Sequence, residues 1–232
     1  MAFFQESQSG RQPAFNAPAS VLILIGVLIA AHMARVWSPH PGEIANAYAL
    51  VPLAYTAQAP LLGRLVTPFS HMFLHIDSTH LAVNCLWLLV FGSVIARRFG
   101  AAPFFLYFLL CGLAGAAFFV AMDWGQDVGA IGASGAISGL MGGAFRMIRL
   151  REPYLNSAVL PLEPLFSRQV LTVSAVWLAL NLVTGYFGLG LVGAGQAIAW
   201  QDHMGGYFAG LLLAGPFDRF FGLAAKLRRR SA

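Results

Sequence analysis

The sequence predicts an all-α membrane protein, a six-transmembrane-helix bundle with a long interfacial first loop. The 232 residues are 58% hydrophobic and only 10% charged, whereas a soluble domain carries about a quarter charged residues. Several apolar runs have about 20 residues, the length that crosses roughly 30 Å of hydrocarbon. These runs are apolar on all sides and lack the alternation of a membrane β-strand, so helices are predicted.

The chain divides into a membrane domain and two tails. Residues 1–17 are polar and rich in Gln, Ser and Pro, which is typical of a disordered cytoplasmic tail. Residues 18–222 form the predicted membrane domain, and residues 223–232 form a basic cytoplasmic tail. The predicted spans are Pro18–Trp37, Thr79–Ala96, Pro103–Met122, Ser134–Ile148, Val170–Tyr186 and His203–Phe221. The first is interpreted as a helix rather than a signal peptide, because the preceding tail lacks a basic start.

The distribution of basic residues predicts the orientation of the spans. With the N-terminus inside, only Arg35 and Arg64 of the 14 Lys and Arg residues lie outside. Both termini are therefore expected in the cytoplasm, and the basic tail is expected to contact the lipid bilayer rather than nucleic acid. The compact six-span form and the strong bias favour the inner membrane of a bacterium over an organelle membrane.

The first external connection differs from the others in length. It has about 40 residues, is rich in Pro and Ala, and is too interrupted to cross a membrane, so we expect it to lie in the outer interface. Cys85 and Cys111 both fall inside apolar runs and do not predict a disulfide.

Polar side chains within the predicted spans identify the candidate functional site, because such groups are costly inside a membrane. The spans contain His80, Asn84, Ser134, Ser138, Asn181 and His203. Four of these residues lie within the first one or two helical turns after an external loop, namely His80, Asn84, Ser134 and His203. At 1.5 Å of rise per residue, these four lie within about 10 Å of the external edge.

Ser134 and His203 form the candidate catalytic pair. Ser134 begins a glycine-rich helix, whose free N–H groups and dipole can stabilise an oxyanion, although a serine here could equally be an N-cap. His203 begins the last span, where a lone histidine is more often an interfacial group. Gly135 on one helix and the GxxxG of Gly206 and Gly210 on the other predict close packing of the two helices. Such packing would place nucleophile and base opposite each other.

His80 and Asn84 are four residues apart and share one helix face. Together with the Ser134 N–H they could hold the oxyanion of a tetrahedral intermediate, each donor contributing about 3 kcal/mol. Alternatively they could hold helices together, at about 1 kcal/mol. Their shared depth with Ser134 favours the oxyanion role.

A metal site at His71, His75 and His80 is a weaker interpretation. The sequence has no HExxH motif, and Asp77 and Asp202 are isolated acids at loop edges that complete no ligand set. We therefore expect no metal and no cofactor, and a Ser–His dyad without an orienting carboxylate. The spans contain no deep Asp or Glu, which argues against an aspartyl protease and a proton-coupled transporter.

Three motifs together resemble the rhomboid intramembrane serine proteases. They are FLHxxxxHLxxN at Phe73–Asn84, GASGAISGLMGG at Gly132–Gly143 and AWxxHxGGxxxG at Ala199–Gly210. Each alone is weakly specific, but their order, spacing and common depth are similar to the family. The resemblance covers roughly residues 18–221.

The resemblance implies a rhomboid-type bundle with the Ser134 helix at its centre and a water-filled cavity open to the outside. It assigns Ser134 as the nucleophile and His203 as the general base. It assigns His80, Asn84 and the Ser134 backbone to the oxyanion site.

The resemblance also implies structural roles. Arg64 resembles a basic residue that holds the first loop, Gly132 is the glycine two before the serine, and Gly206 packs the histidine-bearing helix. Relatives often have an aromatic residue one turn after the nucleophile that stacks on the histidine. Here that position is Ser138, so another group must orient His203.

The function expected from these features is a serine endopeptidase that cleaves transmembrane segments of other membrane proteins near the external leaflet. A catalytically inactive, helix-binding scaffold is the alternative, disfavoured because serine and histidine are both present. A small transporter is a third possibility, disfavoured by the lack of broken spans. By family analogy, the fifth span with Trp177 is the wall of the bundle that is expected to move.

Overall fold

The structure is a computed structural model that describes residues 17–56, 60–148, 160–187 and 199–222. Within these ranges the secondary structure is helical, apart from an isolated antiparallel bridge between Leu50 and Ala130. Except for residue 17, the predicted tails lie outside the described residues.

The helices of the described ranges follow the predicted order. They are α1 (Ala19–Val36), α2 (Pro41–Tyr48), α3 (Leu61–Ser70), α4 (Ser78–Phe99), α5 (Ala101–Met122), α6 (Ser134–Phe145), α7 (Arg168–Phe187) and α8 (Trp200–Phe221). Each predicted span coincides with one of α1 and α4 to α8. Among the described residues, α1, α4 and α5 are long and apolar enough to cross a membrane. The total of six spans stays a prediction.

Helix α6 lies in the interior of the bundle. Its residues from Gly135 to Ala144 are all buried, and it packs against both α5 and α8. With 12 residues it is about 18 Å long at 1.5 Å per residue. A helix buried on all sides is expected to lack a charged face, and α6 accordingly contains only small residues, apolar residues and two serines.

Glycines at the α6–α8 contact allow the two backbones to meet. A Cβ atom on Gly206 would overlap the carbonyl of Gly135, and one on Gly210 would overlap the backbone of Gly139. Neither position can therefore carry a side chain without separating the helices.

The connection between α1 and α4 contains α2, α3 and two 3₁₀ turns, Pro52–Tyr55 and His71–Phe73. The Tyr55 hydroxyl donates to the Arg64 carbonyl at 3.0 Å and lies 3.2 Å from Thr67 Oγ1, which ties the first turn to α3. One side of α3 exposes Leu61, Leu62, Leu65 and Phe69. The location of this connection at the membrane surface stays a prediction.

Polar contacts from α1 fix the end of this connection. The Arg35 guanidinium donates to the carbonyls of His75 and Ile76, both at 2.9 Å. The His32 Nδ1–H donates to the same His75 carbonyl at 3.2 Å. The residues that lead into α4 are therefore attached to the first helix, which sets where α4 begins.

A matched pair of glycine substitutions on α8 tests the packing against α6. Gly210→Ala should lower the free energy of unfolding by about 1–3 kcal/mol, because its methyl group would overlap the α6 backbone. The measurement is the thermal unfolding midpoint of the purified protein in detergent.

Gly215→Ala on the same helix is the control. The nearest atom to an added Cβ there is Arg146 Nη1, at 3.7 Å, so this change should leave stability unchanged or raise it by up to about 1 kcal/mol through helix propensity. Equal midpoints for the two variants would contradict the packing.

Candidate active site

The structure brings Ser134 and His203 together. Ser134 is the first residue of α6 and His203 lies in the first turn of α8. The Ser134 Oγ and His203 Nε2 atoms are 2.7 Å apart, a hydrogen-bonding distance. A serine hydroxyl hydrogen-bonded to an imidazole can transfer its proton to the ring as the oxygen attacks a carbonyl carbon.

Gly132 shapes the chain just before Ser134. Its φ of +132° is rarely adopted by residues with a side chain, and its N–H donates to the His71 carbonyl at 2.9 Å. A Cβ atom at this position would lie 2.8 Å from the His80 ring and 3.6 Å from Ser134 Oγ. The missing side chain therefore leaves space between the serine hydroxyl and the His80 imidazole.

His80 borders this space from the first turn of α4. The Asp77 carboxylate caps α4 by accepting from the His80 N–H at 2.8 Å, and the ring of His75 packs edge-on against the His80 ring with centroids 5.2 Å apart. The Asn84 Nδ2 donates to the His80 carbonyl at 2.9 Å, within their own helix. The structure thus places the His80 ring beside the Gly132–Ser134 segment, and Asn84 one turn further along α4.

Asn181 contacts His203 from α7. Its Oδ1 lies 2.8 Å from His203 Nδ1, and its Nδ2 donates to the Trp200 carbonyl at 3.1 Å. The sequence identified Asn181 as a polar residue inside a span but assigned it no role. Two features of the sequence could have indicated the contact between Asn181 and His203. Ser138 replaces the aromatic residue that often stacks on the histidine, and Asn181 is an amide without an assigned role near the external end of the fifth span.

Asp202 is buried in the first turn of α8, whereas the sequence suggested an isolated acid at a loop edge. Its carboxylate lies against Gly115 of α5 and Gly135 of α6. His71 Nε2 is 3.9 Å from Asp202 Oδ1, too far for a hydrogen bond. Burial lowers the pKa of His71 to about 4, so this ring is neutral at pH 7 and the contact is not an ion pair.

The other predicted residues lie outside the hydrogen-bonded centre. Gly135, Gly206 and Gly210 occupy the α6–α8 contact. Arg64 lies on α3, where its carbonyl accepts the Tyr55 hydroxyl. Across the described ranges, no group of three or more His, Cys, Asp or Glu side chains could hold a metal ion.

Comparison with known proteins places these motifs in a family context. Residues 62–219 match the family model of the Rhomboid domain. The chain is 31% identical over 141 residues to RHOMBOID-like protein 4 of Arabidopsis thaliana, covering 61% of this chain and 31% of that protein. It is also 31% identical over 159 residues to Rhomboid protease GluP of Bacillus subtilis (strain 168), covering 68% of this chain and 27% of that protein. The chain therefore spans under a third of either relative's length.

The contact between Gly135 and Asp202 predicts a compensating pair of substitutions. The three atoms nearest to a Cβ on Gly135 all belong to the Asp202 side chain. Gly135→Ala should therefore lower the unfolding midpoint in the wild-type background but much less in an Asp202→Ala background. The double-mutant cycle should give a coupling free energy of about 0.5–3 kcal/mol, measured by thermal unfolding in detergent.

Gly115→Ala provides the matched control. A Cβ there would overlap the Asp202 carboxylate and would also lie 2.6 Å from the Asp202 main-chain carbonyl, so removing the carboxylate should not restore its stability. Additive effects of Gly135→Ala and Asp202→Ala would show that the contact is absent.

Proposed function

The chain belongs to the rhomboid family, and from this membership we propose that it is an intramembrane serine endopeptidase that cleaves transmembrane segments of other membrane proteins near the external leaflet. The observation that carries the proposal is the 2.7 Å contact between Ser134 Oγ and His203 Nε2. These atoms belong to helices distant in sequence that meet through glycines, so the pairing is a property of the fold.

In the first half-reaction Ser134 Oγ attacks the carbonyl carbon of the substrate peptide bond, and its proton moves to His203 Nε2. The carbonyl oxygen becomes an oxyanion. The space beside Gly132 suits that oxygen, since it lies between the His80 ring and the N-terminus of α6. The proposed donors are the His80 ring, the Asn84 side chain and the Ser134 N–H, and the positive end of the α6 dipole adds to their effect.

Collapse of the tetrahedral intermediate completes acylation. The carbon–nitrogen bond breaks, His203 gives its proton to the departing amine, and the new C-terminal fragment leaves. In the second half-reaction His203 takes a proton from water, whose oxygen attacks the Ser134 ester. The ester bond then breaks, the proton returns to Ser134 Oγ, and the carboxylic acid fragment is released.

The protein is an integral membrane protein, and the proposed topology has six spans with both termini in the cytoplasm. In this arrangement α6, with 12 residues, is too short to cross about 30 Å of hydrocarbon. We therefore propose that it begins below the external surface, with Ser134 in the outer leaflet. The exposed leucines of α3 would immerse the first connection in the outer interface. We further propose the inner membrane of a bacterium as its location, on the basis of the inside bias of basic residues.

Single substitutions of the dyad test the proposed activity. Ser134→Ala and His203→Ala should each reduce cleavage of a single-span reporter protein by at least about 10³-fold, because the first removes the nucleophile and the second removes the base that activates it. Cleavage is measured with purified protein in detergent or liposomes, and folding is verified by the unfolding midpoint.

Two controls match these substitutions. Ser93→Ala removes a buried hydroxyl that donates to the Leu89 carbonyl of its own helix at 2.6 Å. His40→Ala removes an exposed imidazole outside the site. Both should retain cleavage.

Labelling by a fluorophosphonate separates a protease from an inactive scaffold. A reactive Ser134 should be labelled in the wild type and in both controls, and not in Ser134→Ala. A wild-type protein that binds transmembrane peptides but is neither labelled nor active would support the scaffold, and cleavage that persists in Ser134→Ala would falsify the nucleophile assignment.

A further inference from the structure

The hydrogen bonds of the Asn181 side chain define which of its amide atoms faces His203. The Trp200 carbonyl can only accept a hydrogen bond, so the amide atom 3.1 Å from it is the nitrogen. The other amide atom is then the oxygen, and it lies 2.8 Å from His203 Nδ1. The Trp200 carbonyl therefore fixes the amide orientation.

An amide oxygen opposite Nδ1 selects one form of the neutral imidazole. Because that oxygen has no hydrogen to donate, Nδ1 must carry the ring proton. Nε2 then presents its lone pair to Ser134 Oγ at 2.7 Å, and the serine hydroxyl donates to it. This is the tautomer that a general base needs, and the opposite tautomer would present an N–H to the serine.

We propose that Asn181 is a positioning residue that holds His203 in its base-competent tautomer and orientation. The proposal rests on the proposed protease function and extends the Ser–His dyad to a chain of three hydrogen-bonded groups from α6, α8 and α7. Asn181 acts through His203 and does not itself contact the reacting atoms.

The packing of α7 on α8 supports this role by limiting the freedom of the amide. Asn181 is buried. One turn before it, the Trp177 ring stacks on Tyr207 with centroids 4.2 Å apart and planes at 13°. A further turn back, Ser174 Oγ lies 2.7 Å from the Tyr207 hydroxyl. These contacts hold the face of α7 that carries Asn181 against the start of α8.

The experiment compares Asn181→Leu, which removes the acceptor at similar volume, with Asn181→Asp, which keeps an acceptor. Asn181→Leu should lower kcat for the reporter by about 10²-fold with little change in KM, since general-base catalysis contributes roughly 10²–10⁴-fold. Asn181→Asp should retain kcat within about tenfold. Its pH–rate profile should have an acidic limb moved to higher pH, because a neighbouring carboxylate favours the charged imidazolium.

Apart from residue 181 itself, the ionisable groups near His203 are the same in both variants. His80 of α4 lies beside the Gly132–Ser134 segment, and the carboxylate of Asp202, the neighbour of His203 in the chain, lies against Gly115 and Gly135. A shift of the pH profile in Asn181→Asp would therefore report the new carboxylate.

Ser174→Ala is the structural control. It removes another polar contact between α7 and α8 without touching His203. If Asn181 only held the two helices together, Ser174→Ala and Asn181→Leu should lower kcat by similar factors and the pH profile of Asn181→Asp should not move. That result would overturn the proposal.

A second measurement needs no catalysis. ¹⁵N NMR of Ser134→Ala protein labelled at histidine should show His203 with its proton on Nδ1. The His203 signal should change in the double variant Ser134→Ala/Asn181→Leu. A proton on Nε2 of His203 in the Ser134→Ala protein would overturn the proposal. If the wild type neither cleaves nor is labelled but His203 carries its proton on Nδ1, the proposed function fails while the positioning contact stands.

Discussion

The direct contact between the backbones of α6 and α8 determines the geometry of the candidate site. Inside a membrane, helices associate through close packing rather than through loss of water from apolar surfaces, so small residues determine which faces can meet. Gly135 and Gly139 face Gly206 and Gly210 with no space for a side chain at the two α8 positions. This approach aligns the starts of both helices and allows a serine and a histidine to share a hydrogen bond.

Each of the other groups around the dyad is held by its own local chemistry. The Asp77 cap fixes the first turn of α4, and Arg35 fixes the chain just before it by donating to two carbonyls. The Gly132 N–H is anchored to the His71 carbonyl. A site supported in this way on separate helices can keep its geometry to within a fraction of an ångström, which a proton transfer requires.

Some parts of the fold and the site follow from the sequence, and others do not. The helices were predictable because apolar runs of sufficient length have few alternatives in a bilayer, and family membership, inferred from three motifs, was confirmed by the match over residues 62–219. The meeting of Ser134 with His203 could be inferred from shared depth and glycine spacing. The contact of Asn181 with His203 could not, because it depends on how α7 is rotated about its axis. Asp202 was misjudged since its burial depends on glycines in α5 and α6.

The amino-acid sequence predicts a helical membrane protein, the helices that carry its polar groups, and the residue types available for the proposed nucleophile, base and oxyanion donors. These follow from hydropathy, helical periodicity and residue chemistry, which are local properties. The packing of the helices is what gives His203 Nδ1 an amide oxygen as its partner, rather than a carboxylate or an aromatic ring. It also sets the Asp202 carboxylate against two glycines. Those outcomes depend on helix rotation and separation, which are set by interlocking side chains from several helices at once.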